Sequence, residues 1–334
     1  MMLFLSIIIS CRNEEEYIGK CLQSILEQDY PGDKLEVLVV DGMSEDGTRK
    51  IIGEFQKTNP ELKIRLLDNP RKFTPFGLNI GIKAAKGKIV VRMDAHAKYE
   101  KDYVSKCVNY LNEYDADNVG GIIITLPREN TVVARAIALC LSHSFGVGGA
   151  TFRKGSKKLK KGEESKLSSF PFAVAREVDT VFGGCYKREV FDKIGLFNEN
   201  LLRSQDMEFN IRLKKAGGKI LLVPDIVVYY YPKTANLKDF FIYHLKDGIW
   251  AVYPLKFVKT LFKLRHYIPL IFVLTLPLSI WPYIPVSLLF SAQIAIRKKD
   301  LRLFFIMPLV FGARHIGYGL GSIWGLVKLI LPLK

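Results

Sequence analysis

The chain predicts an α/β fold, a mainly parallel sheet flanked by helices, followed by a C-terminal helical region that associates with a membrane. Three observations carry this. Short β-branched runs alternate with amphipathic helical stretches, acidic or polar residues close several of those runs, and the last quarter of the chain turns markedly apolar. Of the 334 residues, 49% are hydrophobic, which is high for a protein that meets only water.

Leu3 to Ser10 is a continuous apolar, β-rich run and reads as the first strand. The opening residues lack a basic start and a small-residue cleavage site, so they read as part of this strand and not as a leader. From Glu15 to Gln28, the residues Ile18, Cys21, Leu22, Ile25 and Leu26 recur at helical spacing. A second strand covers Leu35 to Val40. The turn-like Asp41-Gly42-Met43-Ser44-Glu45-Asp46-Gly47 then leads into a helix carrying Ile51, Ile52 and Phe55, and Ile64 to Leu67 is a third strand. Strand, helix, strand, helix implies a parallel sheet. Ligands of such sheets sit at the carboxyl ends of the strands, here in the loops that hold Asn13, Asp41 and Asp94.

The run Val90 to Met93 closes on Asp94-Ala95-His96. Side chains at i and i+2 of a strand leave the same face, so Asp94 and His96 can reach one divalent cation; the plain alternative is a turn with an incidental histidine. Gln205-Asp206-Met207-Glu208 is a second acidic cluster at the head of a helical stretch through Leu213, where Asp206 is either a chemical group or a capping acid. After the first strand, Cys11-Arg12-Asn13-Glu14 lacks the glycines of a dinucleotide-binding turn, which argues against a nicotinamide or flavin cofactor. Gly77 to Gly81 lacks the ending of a Walker loop, so phosphate must be met by cations.

Five cysteines with no CxxC pair imply a reduced compartment and no zinc site. The formal net charge of +16 would suit nucleic acid or an anionic membrane, and the position of the basic residues decides. Lys256, Lys259, Lys263 and Arg265 precede the longest apolar run, and Arg297, Lys298, Lys299 and Arg302 follow it, which favours an anionic lipid surface over nucleic acid. The charged run from Arg153 to Lys166 has little to bury and reads as a loop, either merely solvated or a flap that greets a phosphate-bearing acceptor or a lipid headgroup.

Ile268 to Ile296 is nearly uncharged and exceeds the roughly 20 residues a bilayer span requires. Pro269, Pro277, Pro282 and Pro285 interrupt it, and a single crossing would carry Arg297-Lys298-Lys299 away from the cytosol, so a broken, re-entrant or hairpin segment is expected. Leu303 to Leu333 is also apolar. Arg314 and His315 read as interfacial residues there, and Gly317, Gly321 and Gly325 leave one helix face small enough for close packing. Two domains are expected, at 1–240 and 241–334.

The ordered set Ser6-Ile7-Ile8-Ile9-Ser10-Cys11-Arg12-Asn13-Glu14-Glu15, Val39-Val40-Asp41-Gly42-Met43-Ser44-Glu45-Asp46-Gly47-Thr48 and Arg92-Met93-Asp94-Ala95-His96 resembles the family 2 glycosyltransferases. Val178 to Gly184, Ser204 to Asn210, Asp247-Gly248-Ile249-Trp250 and Arg265-His266-Tyr267-Ile268-Pro269 bring it nearest to the succinoglycan-biosynthesis type. The resemblance implies a GT-A nucleotide-diphospho-sugar transferase fold, a nucleotide-sugar donor of the UDP-sugar kind, a divalent cation and inversion at the anomeric carbon. It places Asn13 and Glu14 in the nucleoside pocket, Asp41 on the base or ribose, Arg71 near the diphosphate, Asp94 and His96 at the metal, and Asp206 as catalytic base. It also assigns Gly183 and Gly184 to the acceptor site and Lys246 with Trp250 to closure over the donor.

The pattern departs from the family at Ser10-Cys11-Arg12-Asn13-Glu14 in place of Pro-x-x-Asn-Glu, at Asp-x-His in place of Asp-x-Asp, and at Gln205-Asp206 in place of Glu-Asp. The last two also occur in the succinoglycan-type branch. An imidazole ligand favours Mn²⁺ over Mg²⁺, which prefers oxygen. The expected function is thus an inverting, metal-dependent glycosyltransferase of polysaccharide biosynthesis. It is membrane-associated, faces the cytoplasm, and acts on a lipid-linked or glycan acceptor. Competing readings are a catalytically silent membrane adaptor that binds nucleotide or a partner protein, and a transport-like role for the tail. Asp41 could equally be an ordinary turn residue, and Trp250 an interfacial anchor.

Overall fold

The computed structural model describes residues 3–153, 175–258 and 264–331. The charged run expected to form a loop lies outside these residues except for Arg153, as do Lys259 and Lys263. Two compact units emerge, Met1–Ile124 with Gly155–Tyr230, and Thr125–Lys154 with Tyr231–Lys334. The second unit therefore takes in a segment from inside the range expected for the first.

The first unit opens with β1 (Leu5–Cys11), α1 (Ile18–Leu26), β2 (Leu35–Asp41), α2 (Thr48–Thr58), β3 (Ile64–Asp68), α3 (Thr74–Ala84) and β4 (Ile89–Met93). β1 lies parallel to both β2 and β4, and β2 parallel to β3, in the register Leu5 to Leu35 and Leu5 to Ile89. Helices cover this part because its strands have no polar face to give to water: Ile7, Ile9, Val37, Val39 and Val91 are wholly buried. The apolar positions of α1, namely Ile18, Cys21, Leu22 and Ile25, are the buried ones, as their spacing predicts.

β5 (Ala97–Tyr99), α4 (Tyr103–Glu113) and β6 (Asn118–Thr125) follow, and the chain then passes into the second unit through α5 (Val132–Cys140) and α6 (Ser144–Val147). It returns with β7 (Arg176–Glu177), β8 (Cys185–Lys187), α7 (Glu189–Ile194), α8 (Gln205–Lys215) and β9 (Ile220–Tyr230). Among the described residues the sheet has nine strands in the order β3-β2-β1-β4-β8-β6-β9-β5, with β7 on β9. β8 is antiparallel to β4 and to β6, and β5 and β7 are antiparallel to β9, so the expected mainly parallel sheet is in fact mixed. Antiparallel pairing needs no crossover helix, which lets strands as short as β7 and β8 complete the sheet from distant sequence.

The second unit continues with α9 (Leu237–Val252), α10 (Ile268–Leu274), α11 (Leu276–Lys298) and α12 (Arg302–Ile330). α11 and α12 form a helical hairpin, but its turn lies beyond Ile296: α11 runs unbroken through Pro282 and Pro285, so within Ile268 to Ile296 the expected interruption is confined to the junction of α10 and α11. At its tip Asp300 pairs with Arg302 at 2.9 Å and with Arg135 of α5 at 3.0 Å. The glycine stripe of α12 faces α9: a Cβ on Gly317, Gly321 or Gly325 would meet the backbone carbonyl of Phe241, Leu245 or Ile249. Both helices of the hairpin are long and apolar enough to cross a membrane, and Leu278, Trp281, Ile296 and Phe305 expose two thirds or more of their surface (66–78%).

Candidate active site

The ends of β1, β2 and β4 supply the first wall of the site. Asn13 adopts a left-handed φ of 53°, which asparagine tolerates better than most residues. Its N–H donates to Ser44 Oγ at 2.9 Å and its Oδ1 accepts from the Glu45 N–H at 3.0 Å, while the Glu14 N–H donates to Thr48 Oγ1 at 2.8 Å. Two loops are thereby fastened together. Asp41 has no exposed surface; its Oδ2 accepts from the Ser44 N–H at 3.0 Å and from Arg49 Nη1 at 2.8 Å. Arg49 also reaches Asp68 at 2.8 Å and keeps 39% of its side chain exposed, so it is the group this cluster presents outward. Arg71 is exposed between β3 and α3, with its guanidinium 5.4 Å from the Phe76 ring.

Asp94 and His96 lie in the turn between β4 and β5, closed by the Ala97 N–H on the Asp94 carbonyl at 3.2 Å. This corrects the expectation that strand alternation aligns them. The backbone of Asp94 is fixed by Tyr99, whose hydroxyl accepts from the Asp94 N–H at 2.7 Å, and by the Cys21 thiol, which donates to the Asp94 carbonyl at 3.5 Å. Glu14 is 6% exposed and turns its carboxylate on His96, with Oε1 3.2 Å from Nδ1. The imidazole also meets Tyr230 edge-on at 5.1 Å.

Arg92, which sequence reasoning passed over, links the two acidic clusters. Its Nη2 is 3.4 Å from Asp94 Oδ1 and its Nη1 is 3.9 Å from Asp206 Oδ2. The buried Nη1 makes no hydrogen bond among the described residues. Burial works against the charge on this guanidinium, but Asp94 and Asp206 outweigh it and raise its pKa above the ordinary value. The signal was legible in principle: an arginine inside an apolar strand must find a charged partner.

Asp206 sits in the first turn of α8, where its Oδ1 accepts from the Met207 N–H at 2.9 Å and the helix dipole favours an acid. It keeps 37% of its side chain exposed. Neighbouring motif residues hold this helix in place. Glu208 grips Arg212 at 2.6 Å, Arg212 donates to the Leu196 carbonyl at 2.8 Å, and Asn210 donates to Thr180 at 2.9 Å. Gly183 and Gly184 have φ of 66° and 111°, and the Gly184 carbonyl accepts from the Arg92 N–H at 2.9 Å. A Cβ on Gly183 would press on the Arg92 carbonyl at 2.7 Å, so this turn, read from sequence as part of the acceptor segment, seats Arg92. Lys246 and Trp250 belong to α9 of the second unit, Lys246 exposed and Trp250 half-buried with Tyr253 edge-on at 5.6 Å.

Among the described residues no three His, Cys, Asp or Glu side chains gather as a metal cage. The two donors at the β4–β5 turn, the Asp94 carboxylate and the His96 imidazole, are nevertheless of the kind a divalent cation shares with a ligand's phosphates, and the Glu14 carboxylate beside Nδ1 leaves Nε2 as the free imidazole nitrogen.

Residues 6–179 match the family description "Glycosyl transferase family 2". A dolichyl N-acetyl-alpha-D-glucosaminyl phosphate 3-beta-D-2,3-diacetamido-2,3-dideoxy-beta-D-glucuronosyltransferase of Methanococcus voltae is 29% identical over 336 residues, 98% of each chain. Succinoglycan biosynthesis protein ExoA of Rhizobium meliloti is 25% identical over 239 residues, 71% of this chain and 66% of its own. The mannosyltransferase PcManGT of Pyrobaculum calidifontis, solved with GDP-Man and Mn²⁺, superposes with a TM-score of 0.62 at 21% identity, covering 100% of this chain and 89% of that one. That likeness shows the fold, which is GT-A. With the motif order, the mixed sheet and the family match in agreement, the chain is a glycosyltransferase and belongs to glycosyl transferase family 2.

Proposed function

We propose that this chain is an inverting, metal-dependent glycosyltransferase that moves a sugar from a UDP-sugar donor to a polyprenyl-phosphate-linked glycan at the cytoplasmic face of a membrane. One observation carries the reading: a single guanidinium, Arg92, lies between the carboxylate that would meet the cation, Asp94, and the carboxylate that would serve as base, Asp206. An inverting transfer needs both groups around one sugar.

Asp94 and His96 would hold the cation, which when bound offsets the charge growing on the departing diphosphate. Glu14 supports that role, because a carboxylate at Nδ1 keeps the proton there and leaves Nε2 as the ligand atom. Asn13 and the Asp41–Arg49 cluster shape the nucleoside wall, and Arg71 stands exposed for the diphosphate. Asp206 takes the proton of the attacking acceptor hydroxyl, held toward the site by Arg92 and the first turn of α8. The acceptor class rests on the printed name of the Methanococcus voltae relative and on the apolar hairpin, which would bring the active unit to lipid.

The test is release of nucleoside diphosphate from a panel of nucleotide-sugars, with Mn²⁺, in membranes supplied with polyprenyl-phosphate-linked sugars. A donor that turns over in the wild type and fails in Asp94→Ala supports the reading. No release with any donor would favour the silent adaptor.

A further inference from the structure

A second polar cluster lies inside the helical unit, among residues the transfer chemistry does not use. Arg314 of α12 donates through Nε to the Gly146 carbonyl at 2.6 Å and through Nη1 to His244 Nε2 at 2.8 Å. Arg265 donates through Nε to His266 Nε2 at 3.2 Å and through Nη1 to the Gly149 carbonyl at 3.5 Å. His266 in turn meets the Tyr318 hydroxyl at 3.2 Å. Among the described residues, neither arginine has a carboxylate within ion-pair distance; both are held by neutral acceptors. The carboxylate of Asp247 faces His244 at 3.3 Å, and Arg153 adds a third positive charge close enough to act on His244 and Arg314.

Asp247 also acts favourably on Arg314, yet among the described residues of this cluster it is one carboxylate against the three guanidiniums of Arg153, Arg265 and Arg314, which leaves positive charge in excess inside the unit. Buried or half-buried cations are normally paired, and guanidinium forks match phosphate oxygens. The surroundings select an amphiphile over a free ion. α10 begins two residues after His266, and Ile268, Ile271 and Leu274 expose 58%, 52% and 62% of their surface. We propose that Arg265 and Arg314 form a binding site for the phosphate of a polyprenyl-phosphate-linked substrate, whose hydrocarbon lies along the exposed apolar face of α10. The inference rests on the reading that the acceptor is lipid-linked. The Arg265-His266-Tyr267-Ile268-Pro269 motif thereby gains a role: its first residue meets the head and its last two begin the apolar track.

The full chain in nanodiscs of zwitterionic lipid is titrated with a polyprenyl monophosphate, the matching polyprenol and phosphatidylglycerol. Wild type should bind the polyprenyl phosphate about tenfold or more tighter than Arg265→Gln or Arg314→Gln does, as loss of a charge-assisted contact implies. The polyprenol should not distinguish them. Arg265, half-exposed in a short turn, keeps the test decisive should Arg314→Gln fail to fold. Equal affinity in Arg265→Gln, or equal displacement by phosphatidylglycerol, overturns the proposal. Nucleoside diphosphate release is followed on the same nanodiscs supplied with the nucleotide-sugar panel, Mn²⁺ and a polyprenyl-phosphate-linked sugar. Phosphate binding without any transfer would sink the transferase reading and leave the site standing. Transfer with unchanged affinity in Arg265→Gln would do the reverse.

Discussion

Replacing Arg92 by methionine removes the cation from between two carboxylates while keeping most of its volume. At an effective dielectric of about 20, a unit charge pair is worth about 5 kcal/mol at the 3.4 Å found to Asp94 and about 4 kcal/mol at the 3.9 Å found to Asp206, before desolvation. Asp206 keeps 37% of its side chain exposed, so water screens much of its share; Asp94, at 19%, loses more. Arg92→Met should therefore lower stability by about 3 kcal/mol and, with the two acids left to repel, cut transfer by about two to three orders of magnitude. Denaturant-dependent hydrogen exchange of the β1, β2 and β4 amides reads the first effect, and product nucleoside diphosphate the second. Arg92→Lys retains the charge but not the fork, and should fall between. A double-mutant cycle with Asp206→Asn should be strongly non-additive. Near-wild-type turnover and unchanged exchange of those amides in Arg92→Met would refute the coupling.

Other predictions follow the same geometry. Asp206→Asn should abolish transfer while donor affinity stays within about twofold, since no donor-facing group is lost; Glu208→Gln, which only loosens the Arg212 clamp, should be milder. Rates across metals should peak with Mn²⁺, and Glu14→Gln should weaken Mn²⁺ binding about tenfold in a paramagnetic-resonance titration; equal rates with Mg²⁺ would remove His96 from the ligand set. Gly321→Leu should destabilise the α9–α12 pair by about 3 kcal/mol, whereas Gly312→Ala, with open space around its added Cβ, should be tolerated. Burial lowers the pKa of His244 and of His266 to about 4. The folded state thus disfavours their protonation, so their contribution is complete above the unfolded value of about 6.5 and is lost as pH falls toward 4, destabilising the helical unit. A pH series of thermal melts in detergent shows that slope, or its absence.

The parallel half of the sheet was readable because each of its strands is long enough to carry an apolar pattern and each is followed by a helix with its own period. β8 was not, since a three-residue strand gains its identity only from partners far away in the chain. The same limit hid the pairing of Glu14 with His96 and of Arg92 with Asp206, contacts made across 82 and 114 residues of sequence. Asp206 could be placed because a motif marks the head of its helix. The sequence places Asp94 in a loop at a strand's end, but strand alternation does not carry on to His96, because the strand yields at Met93, where the Tyr99 hydroxyl accepts from the Asp94 N–H. The glycine stripe of α12 was legible, but its partner α9 was not, because small residues announce close packing without naming what approaches.

The most direct test is the anomalous scattering of Mn²⁺ in crystals of the full chain grown with a nucleoside diphosphate. The account predicts one strong peak bound by Asp94 and His96, with the diphosphate completing its shell and Asp206 facing the vacant sugar position. A peak elsewhere, or a diphosphate bound away from the β4–β5 turn, would contradict it.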